Sequence, residues 1–110
     1  MSLLGDLFTV AQFQSFSDAD ATSNVVVAAV TGSRIRVISY TINAANGEND
    51  VTFQSATTAL SGAFEIANNA TIHAYCAEGL FETAVGEAFN LLMSAATLVV
   101  GHFTYVLISE

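Results

Sequence analysis

Between Asn24 and Ala74 the large apolar residues come in short β-branched runs, and each run closes on a turn signal. That alternation predicts strands and turns rather than helices. "NVVVAAV" (Asn24–Val30) reads as a buried strand and "TGS" (Thr31–Ser33) as the turn after it. "RIRVISYTINA" (Arg34–Ala44) is a long strand whose pattern changes phase midway. Ile35 and Val37 share one face, whereas Ile38, Tyr40 and Ile42 share the other. Such a shift needs either cover on both faces at different points or a β-bulge. "NGEND" (Asn46–Asp50) is the strongest turn signal in the chain. "VTFQS", "SGAFEIA" and "TIHAY" follow as strands, with "NNAT" as a turn between the last two, and "VVGHFTYVLIS" (Val99–Ser109) closes the chain as a strand apolar on both faces. A strand of that kind suits the middle of a sheet. The chain contains no proline, so its turns rely on Gly, Asn, Asp and Ser.

One segment could overturn this reading. In "GLFETAVGEAFNLLMS" (Gly79–Ser94), Leu80, Phe81, Ala84, Val85, Ala88, Phe89 and Leu92 recur at helical spacing. A helix here would hold Gly86 in its middle, at about 1 kcal/mol relative to Ala. Thr83 and Val85 are mildly unfavourable, Glu78 and Glu82 repel one turn apart, and no cation meets the C-terminal dipole. A hairpin instead places Val85, Gly86 and Glu87 in its turn and leaves "AFNLLMS" as an alternating strand. The hairpin agrees with its neighbours. The expected fold is therefore all-β, an antiparallel β-sandwich or jelly roll of about seven to nine strands with an N-terminal extension.

Residues 1–22 differ from the rest. Leu3, Leu4, Leu7 and Phe8 are apolar, and "FTVAQFQSF" adds Phe13 and Phe16. They read either as an arm that packs on a neighbouring subunit or as one more strand of the sandwich, which occupies 23–110. Arg34 and Arg36 are the only Arg or Lys residues. Two apart in a strand, they share a face. They can pair with nearby carboxylates, or anchor an interface through bidentate hydrogen bonds. The candidate interface set is thus Leu3, Leu4, Leu7, Phe8, Phe13, Phe16, Arg34 and Arg36.

Composition narrows the function. The net charge is −8 and only 11% of residues are charged. Two arginines neutralise few phosphates, which argues against nucleic acid and anionic membranes as partners. A surface made mainly of Ser, Thr, Asn, Gln and Ala suits close contact with protein. No apolar run approaches the ~20 residues of a membrane helix, and no signal peptide is evident, so the chain reads as soluble. Cys76 is the only cysteine and reads as a small buried hydrophobe. Asp18 and Asp20 begin a calcium-loop spacing that lacks its glycine and distal glutamate. "NGEND" gathers Glu48, Asn49 and Asp50, which is better read as a turn than as a cation site. His73 and His102 have no partner at ligand spacing, so no metal is expected. Glu65, Glu82 and Glu87 lack the aromatic platforms and cleft of a carboxylate-pair glycosidase. No catalytic residue and no cofactor is expected. "NAT" (Asn69–Thr71) matches a glycosylation acceptor, relevant only to a secretory route that nothing in the sequence supports.

Three stretches together resemble a known group. "GSRIRVISYTINAA" (Gly32–Ala45), "VTFQSATTALSGAFEIA" (Val51–Ala67) and "GLFETAVGEAFNLLMSAATLVVGHFTYV" (Gly79–Val106) are similar to small β-sandwich structural proteins of tailed bacteriophages, head-decoration (cement) proteins above all. The resemblance implies a jelly-roll-like sandwich, no catalysis, self-association often as a homotrimer, and binding to the outside of a capsid that the protein stabilises. It implies the major capsid protein as partner, the capsid surface of the virion as location, and synthesis in the cytoplasm of a bacterial host. The alternative expectation is a carbohydrate- or receptor-binding sandwich module of a phage tail or fibre, against which the absence of Trp counts.

Overall fold

The structure, a computed structural model, describes residues 10–109. They form ten strands and, among the described residues, no helix. These are β1 (Gln12–Asp18), β2 (Ser23–Val27), β3 (Ser33–Ala44), β4 (Asn49–Ser55), β5 (Thr58–Ala59), β6 (Phe64–Ile66), β7 (Thr71–Tyr75), β8 (Phe81–Glu82), β9 (Phe89–Met93) and β10 (Val99–Ser109). All pairings are antiparallel. Sheet A runs β1-β10-β3-β7, with β8 also on β3; sheet B runs β2-β9-β4-β5, with β6 also on β4. The count exceeds the expected seven to nine because β5 and β8 are two-residue pieces that continue the lines of longer strands.

The strand order has a simple logic. The first strand pairs with the last, β2 with β9, β3 with β7 and β8, and β4 with β5 and β6. The chain is a doubled ribbon wound so that successive pairs fall alternately in sheet A and sheet B. That is the jelly roll, in which two Greek keys share one core.

Most connections therefore cross between the sheets, and this corrects one expectation. The turn at Val85–Gly86 is present, and strands flank it on both sides. Yet β8 pairs with β3 in sheet A, while β9 pairs with β2 and β4 in sheet B. Gly79–Ser94 is not a hairpin but an arch between the sheets. Its turn is held from outside: the Gly86 amide donates to Ser33 O at 2.8 Å, and the Ala84 amide to Ser55 Oγ at 2.9 Å. Gly86 has φ +75°, where glycine is favoured.

The phase shift in β3 is a bulge. Thr104 of β10 faces Ser39 and Tyr105 faces Val37, so Ile38 is the extra residue. Ile35 and Val37 point inward before it, and Tyr40, Ile42 and Ala44 after it. The same site separates the two partners of β3 on its other edge, because Cys76 N donates to Ile38 O and Leu80 N to Val37 O.

The core centres on aromatic rings. Phe53 is fully buried and lies 4.8–6.2 Å, centroid to centroid, from the rings of Tyr40, Phe64, Phe81, Phe89 and Phe103. Such contacts add roughly 0.5–1.5 kcal/mol each beyond area burial. Burial raises the Tyr40 phenol pKa above its ordinary value. At the centre of sheet A, a Cβ on Gly101 would stand 2.0 Å from the Thr41 carbonyl oxygen, so β10 and β3 approach in a way only glycine permits.

Candidate functional site

The candidate interface residues fall into three groups. Leu3, Leu4, Leu7 and Phe8 lie outside the described residues. Phe13 and Phe16 both belong to β1 and separate completely. Phe13 is 78% exposed on the outer face of sheet A. Phe16 is 7% exposed, stands opposite Gly101, and meets Phe103 edge to face at 6.3 Å. Phe16 is thus a core residue in this chain, not a surface one. The two are an odd number of positions apart, so a strand places them on opposite faces.

Arg34 and Arg36 share the outer face of sheet A, at one end of β3, and converge on one carboxylate. Arg36 Nε donates to Glu82 Oε1 at 2.8 Å, and Arg34 Nη1 stands 3.8 Å from Glu82 Oε2 and 3.4 Å from Thr83 O. All three side chains are about a third exposed, so the cluster contributes little to stability. The Arg36 stem lies across Gly79, where a Cβ would meet its Cδ at 2.7 Å. A shallow cleft of about 140 Å³ opens between Arg36 and residues Glu78 to Glu82.

Other residues singled out in the sequence have structural partners. Asn49 of "NGEND" is 1% exposed. Its Nδ2 donates to the carbonyls of Ala95 and Thr97, and its Oδ1 accepts from the amides of Ser94 and Ala95. It ties the β3–β4 turn to the β9–β10 connection. Ser55 Oγ donates to Glu87, and half-buried Cys76 lies 3.5 Å from Glu78 Oε1. Among the described residues no group of three or more His, Cys, Asp or Glu is placed to hold a metal ion.

The two outer faces differ in chemistry. On sheet B, Ser23, Gln54 and Asn90 form a hydrogen-bonded polar cluster beside the exposed Val25 and Leu92: Ser23 Oγ donates to Gln54 Oε1, and Asn90 Nδ2 donates to Ser23 Oγ and to Ala56 O. Asp50 and Glu65 are paired positions near its edge. On sheet A, register places side chains in rows across all four strands. The rows read Phe13–Thr104–Ser39–Tyr75, then Ser15–His102–Thr41–His73, then Ser17–Val100–Asn43–Thr71. None of these residues is Asp, Glu, Lys or Arg, and Tyr75 is 66% exposed. His102 and His73 flank Thr41 in one row, and Thr41 Oγ1 is hydrogen-bonded to His73 Nδ1 at 2.8 Å. Sequence reasoning missed this face. Spacing along the chain does not show which strands lie side by side, and both histidines reach the row only through the register of β10 and β7 on β3.

No protein-family model matches the sequence, and no curated protein matches it. Solved structures do. One is a chain of Bacillus endospore appendages, described as a novel family of disulfide-linked pili: TM-score 0.54, 13% identity, covering 91% of this chain and 87% of that one. Another is from the VLP of the giant freshwater prawn Macrobrachium rosenbergii extra small virus: TM-score 0.44, 14% identity, covering 100% of this chain and 84% of that one, a similarity too low to argue from. At such identity the appendage chain shares the fold with this one, and the fold alone.

Proposed function

We propose that this chain is a non-enzymatic structural subunit: a virion protein that binds the outside of a phage capsid through the major capsid protein, stabilises it, and self-associates as a homotrimer. The observation that carries the reading is the outer face of sheet A, where three successive rows of side chains carry no charge on a chain of net charge −8, and the charged Arg34, Arg36 and Glu82 gather at one end. An acidic protein keeps such rows clear of carboxylates when they are to be covered by protein. The pilus role of a protein with the same fold is consistent with a structural part, at the level of analogy. The mechanism is burial of apolar and uncharged surface, multiplied by several linked contacts per assembly.

Residues 1–9 supply the capsid contact in this reading, through Leu3, Leu4, Leu7 and Phe8. The test compares the full chain with a version beginning at Val10, which keeps β1 and hence Phe16 in the core. Light scattering on the eluting protein gives the mass, and co-sedimentation with undecorated capsids gives binding. The full chain should have the mass of three subunits and sediment with capsids; the shortened chain should keep its β-sheet circular dichroism and stay in the supernatant. A shortened chain that still decorates capsids refutes the role of residues 1–9, and a full chain that never binds them refutes the capsid reading.

A further inference from the structure

We infer that Asn46–Gly47, in the β3–β4 turn, is a site at which this chain modifies itself: the Gly47 backbone nitrogen closes on the Asn46 side chain, and the residue converts to aspartate and isoaspartate. This chemistry does not depend on the structural role proposed above.

The reaction makes demands on a nucleophile, an electrophile and a leaving group. The backbone nitrogen that follows an asparagine adds to its Cγ and closes a cyclic succinimide. The proton of that nitrogen passes to solvent, and the Cγ–Nδ2 bond breaks as Nδ2 takes up a proton and leaves as ammonia. Water then adds to either imide carbonyl and breaks that carbonyl's bond to the ring nitrogen. Opening at Cγ leaves aspartate; opening at the main-chain carbonyl leaves isoaspartate. Asparagine and water thus become an acidic residue and ammonia, with nothing oxidised or reduced.

The turn presents each group in the state required. Asn46 is exposed. Among the described residues its Nδ2 has no hydrogen-bond acceptor, so nothing holds the leaving group. The Gly47 N–H has none either, so the nucleophile is uncommitted. Asn46 Oδ1 accepts from the Leu98 N–H at 2.6 Å. Negative charge develops on that oxygen as the nitrogen adds to Cγ, and a fixed backbone N–H already aimed at it stabilises the charge.

The other asparagines fail on these points. Asn68 and Asn69 are exposed too, but the amides that would attack them are engaged: Asn69 N donates to Ala44 O at 2.7 Å and Ala70 N to Ala67 O at 2.9 Å. After Asn43, Ala44 N donates to Ala70 O at 3.1 Å, and after Asn49, Asp50 N donates to Ser94 Oγ at 3.1 Å. Asn24 and Asn90 are buried within β2 and β9. Asn46 alone among the described residues combines exposure with an unengaged following amide.

The turn itself selects this pair. Gly47 has φ +150°, and a Cβ there would stand 2.8 Å from Thr97 Cγ2, so position 47 favours glycine. Position 46 supplies the acceptor for Leu98 N–H, while Ala45 N donates to Leu98 O at 2.8 Å, so the turn grips Leu98 through both its backbone groups. Aspartate keeps an acceptor in that place. Isoaspartate carries the main chain through Cγ, which lengthens the turn by a methylene and makes Oδ1 a peptide carbonyl, so the grip on Leu98 N–H is lost. Either product adds a negative charge to a chain already at −8.

The test incubates the full chain in mildly alkaline buffer, with and without urea, and digests it with chymotrypsin. Cleavage after Tyr40 and Phe53 brings Asn46 onto one peptide, cleavage after Phe64 and Tyr75 brings Asn69 onto another, and tandem mass spectrometry reads conversion at each asparagine. An amide whose hydrogen bond must first break attacks roughly fivefold more slowly. In the folded chain, conversion at Asn46 should therefore lead that at Asn69 by at least about fivefold, and the ratio of the two should fall about fivefold in urea, where both amides are released. Asn46→Gln should leave the first peptide unmodified. Equal conversion at Asn46 and Asn69 in the folded chain overturns the inference. So does a ratio that is unchanged or higher in urea, because the fold then shields Asn46, and so does a peptide that still converts in Asn46→Gln. The acidic fraction of aged protein, separated by ion exchange, should contain a component that unfolds at lower urea concentration than Asn46→Asp does; its absence overturns the role given to the Leu98 contact.

Discussion

Replacing Gly101 by alanine tests the closest approach between the two central strands of sheet A. A Cβ there would meet Thr41 O at 2.0 Å, Ile42 Cα at 2.8 Å and Ile42 Cγ2 at 2.9 Å. A carbon and a carbonyl oxygen in favourable contact stand about 3.3 Å apart. The overlap therefore exceeds ~1 Å, and two of the three opposing atoms are backbone, which no rotamer change can move. To relieve it, β10 and β3 must part by about that distance, which carries the neighbouring N–H···O bonds from ~2.9 Å to beyond bonding range. Two such bonds contribute about 1 kcal/mol each. Residual overpacking adds roughly 1–3 kcal/mol. The expected loss is about 3–5 kcal/mol, a large part of the 5–15 kcal/mol that holds a typical domain together. Gly86→Ala is the matched control. Nothing lies within 4 Å of its Cβ position, and φ is +75°, so it should cost only the left-handed penalty of about 1–2 kcal/mol. Urea unfolding followed by far-ultraviolet circular dichroism measures both, and suits a chain without tryptophan. If Gly101→Ala costs no more than Gly86→Ala, the close approach of β10 and β3 is not as described, and the register of the face built on them falls with it.

Three further outcomes follow from named contacts. Asn49→Ala removes a buried amide that serves Ser94, Ala95 and Thr97, leaving backbone groups unpaired, so thermal or urea unfolding should show a loss of about 2–4 kcal/mol. Glu82→Gln should cost under about 1 kcal/mol in the same assay, because the Arg34–Glu82–Arg36 cluster is partly solvated, and the difference should shrink in high salt. Alkaline pH should destabilise the fold through Tyr40. Its folded pKa is raised by burial, so its contribution is complete below the ordinary value of 10.0 and is lost as pH climbs from there through the folded pKa; Tyr40→Phe should flatten that part of a stability-versus-pH curve.

The fold was legible where period-2 patterns met turn residues. Ile35 and Val37 against Tyr40 and Ile42 showed a change of phase that either a bulge or cover on both faces would explain, without marking Ile38 as the extra residue, and Gly86 announced a turn between two strands. What pattern could not supply was partnership. Alternation tells which way a side chain points, but not which strand lies alongside, so the Gly79–Ser94 turn could be read as a hairpin when its strands belong to opposite sheets. Phe13 and Phe16 show the converse. Their parity was available from the sequence, and treating them as one surface set it aside. The histidine row was beyond sequence reasoning, since it arises from two separate registers meeting at Thr41.

The nested pairing of the strands also has a consequence in time. During synthesis β1 emerges long before its partner β10 and waits for it, and β2 waits for β9. Sheet A cannot be completed until β10 has left the ribosome, because β10 is one of its two central strands. Closing such long loops before they are rewarded by contacts is slow, and folding on a scale of milliseconds to seconds is typical for sandwiches of this kind. For that interval Phe16 and the inward side of β3 have no β10 to cover them. A nascent chain of this topology is thus most vulnerable to mispairing just before β10 emerges, and the eleven residues of that strand complete the sheet.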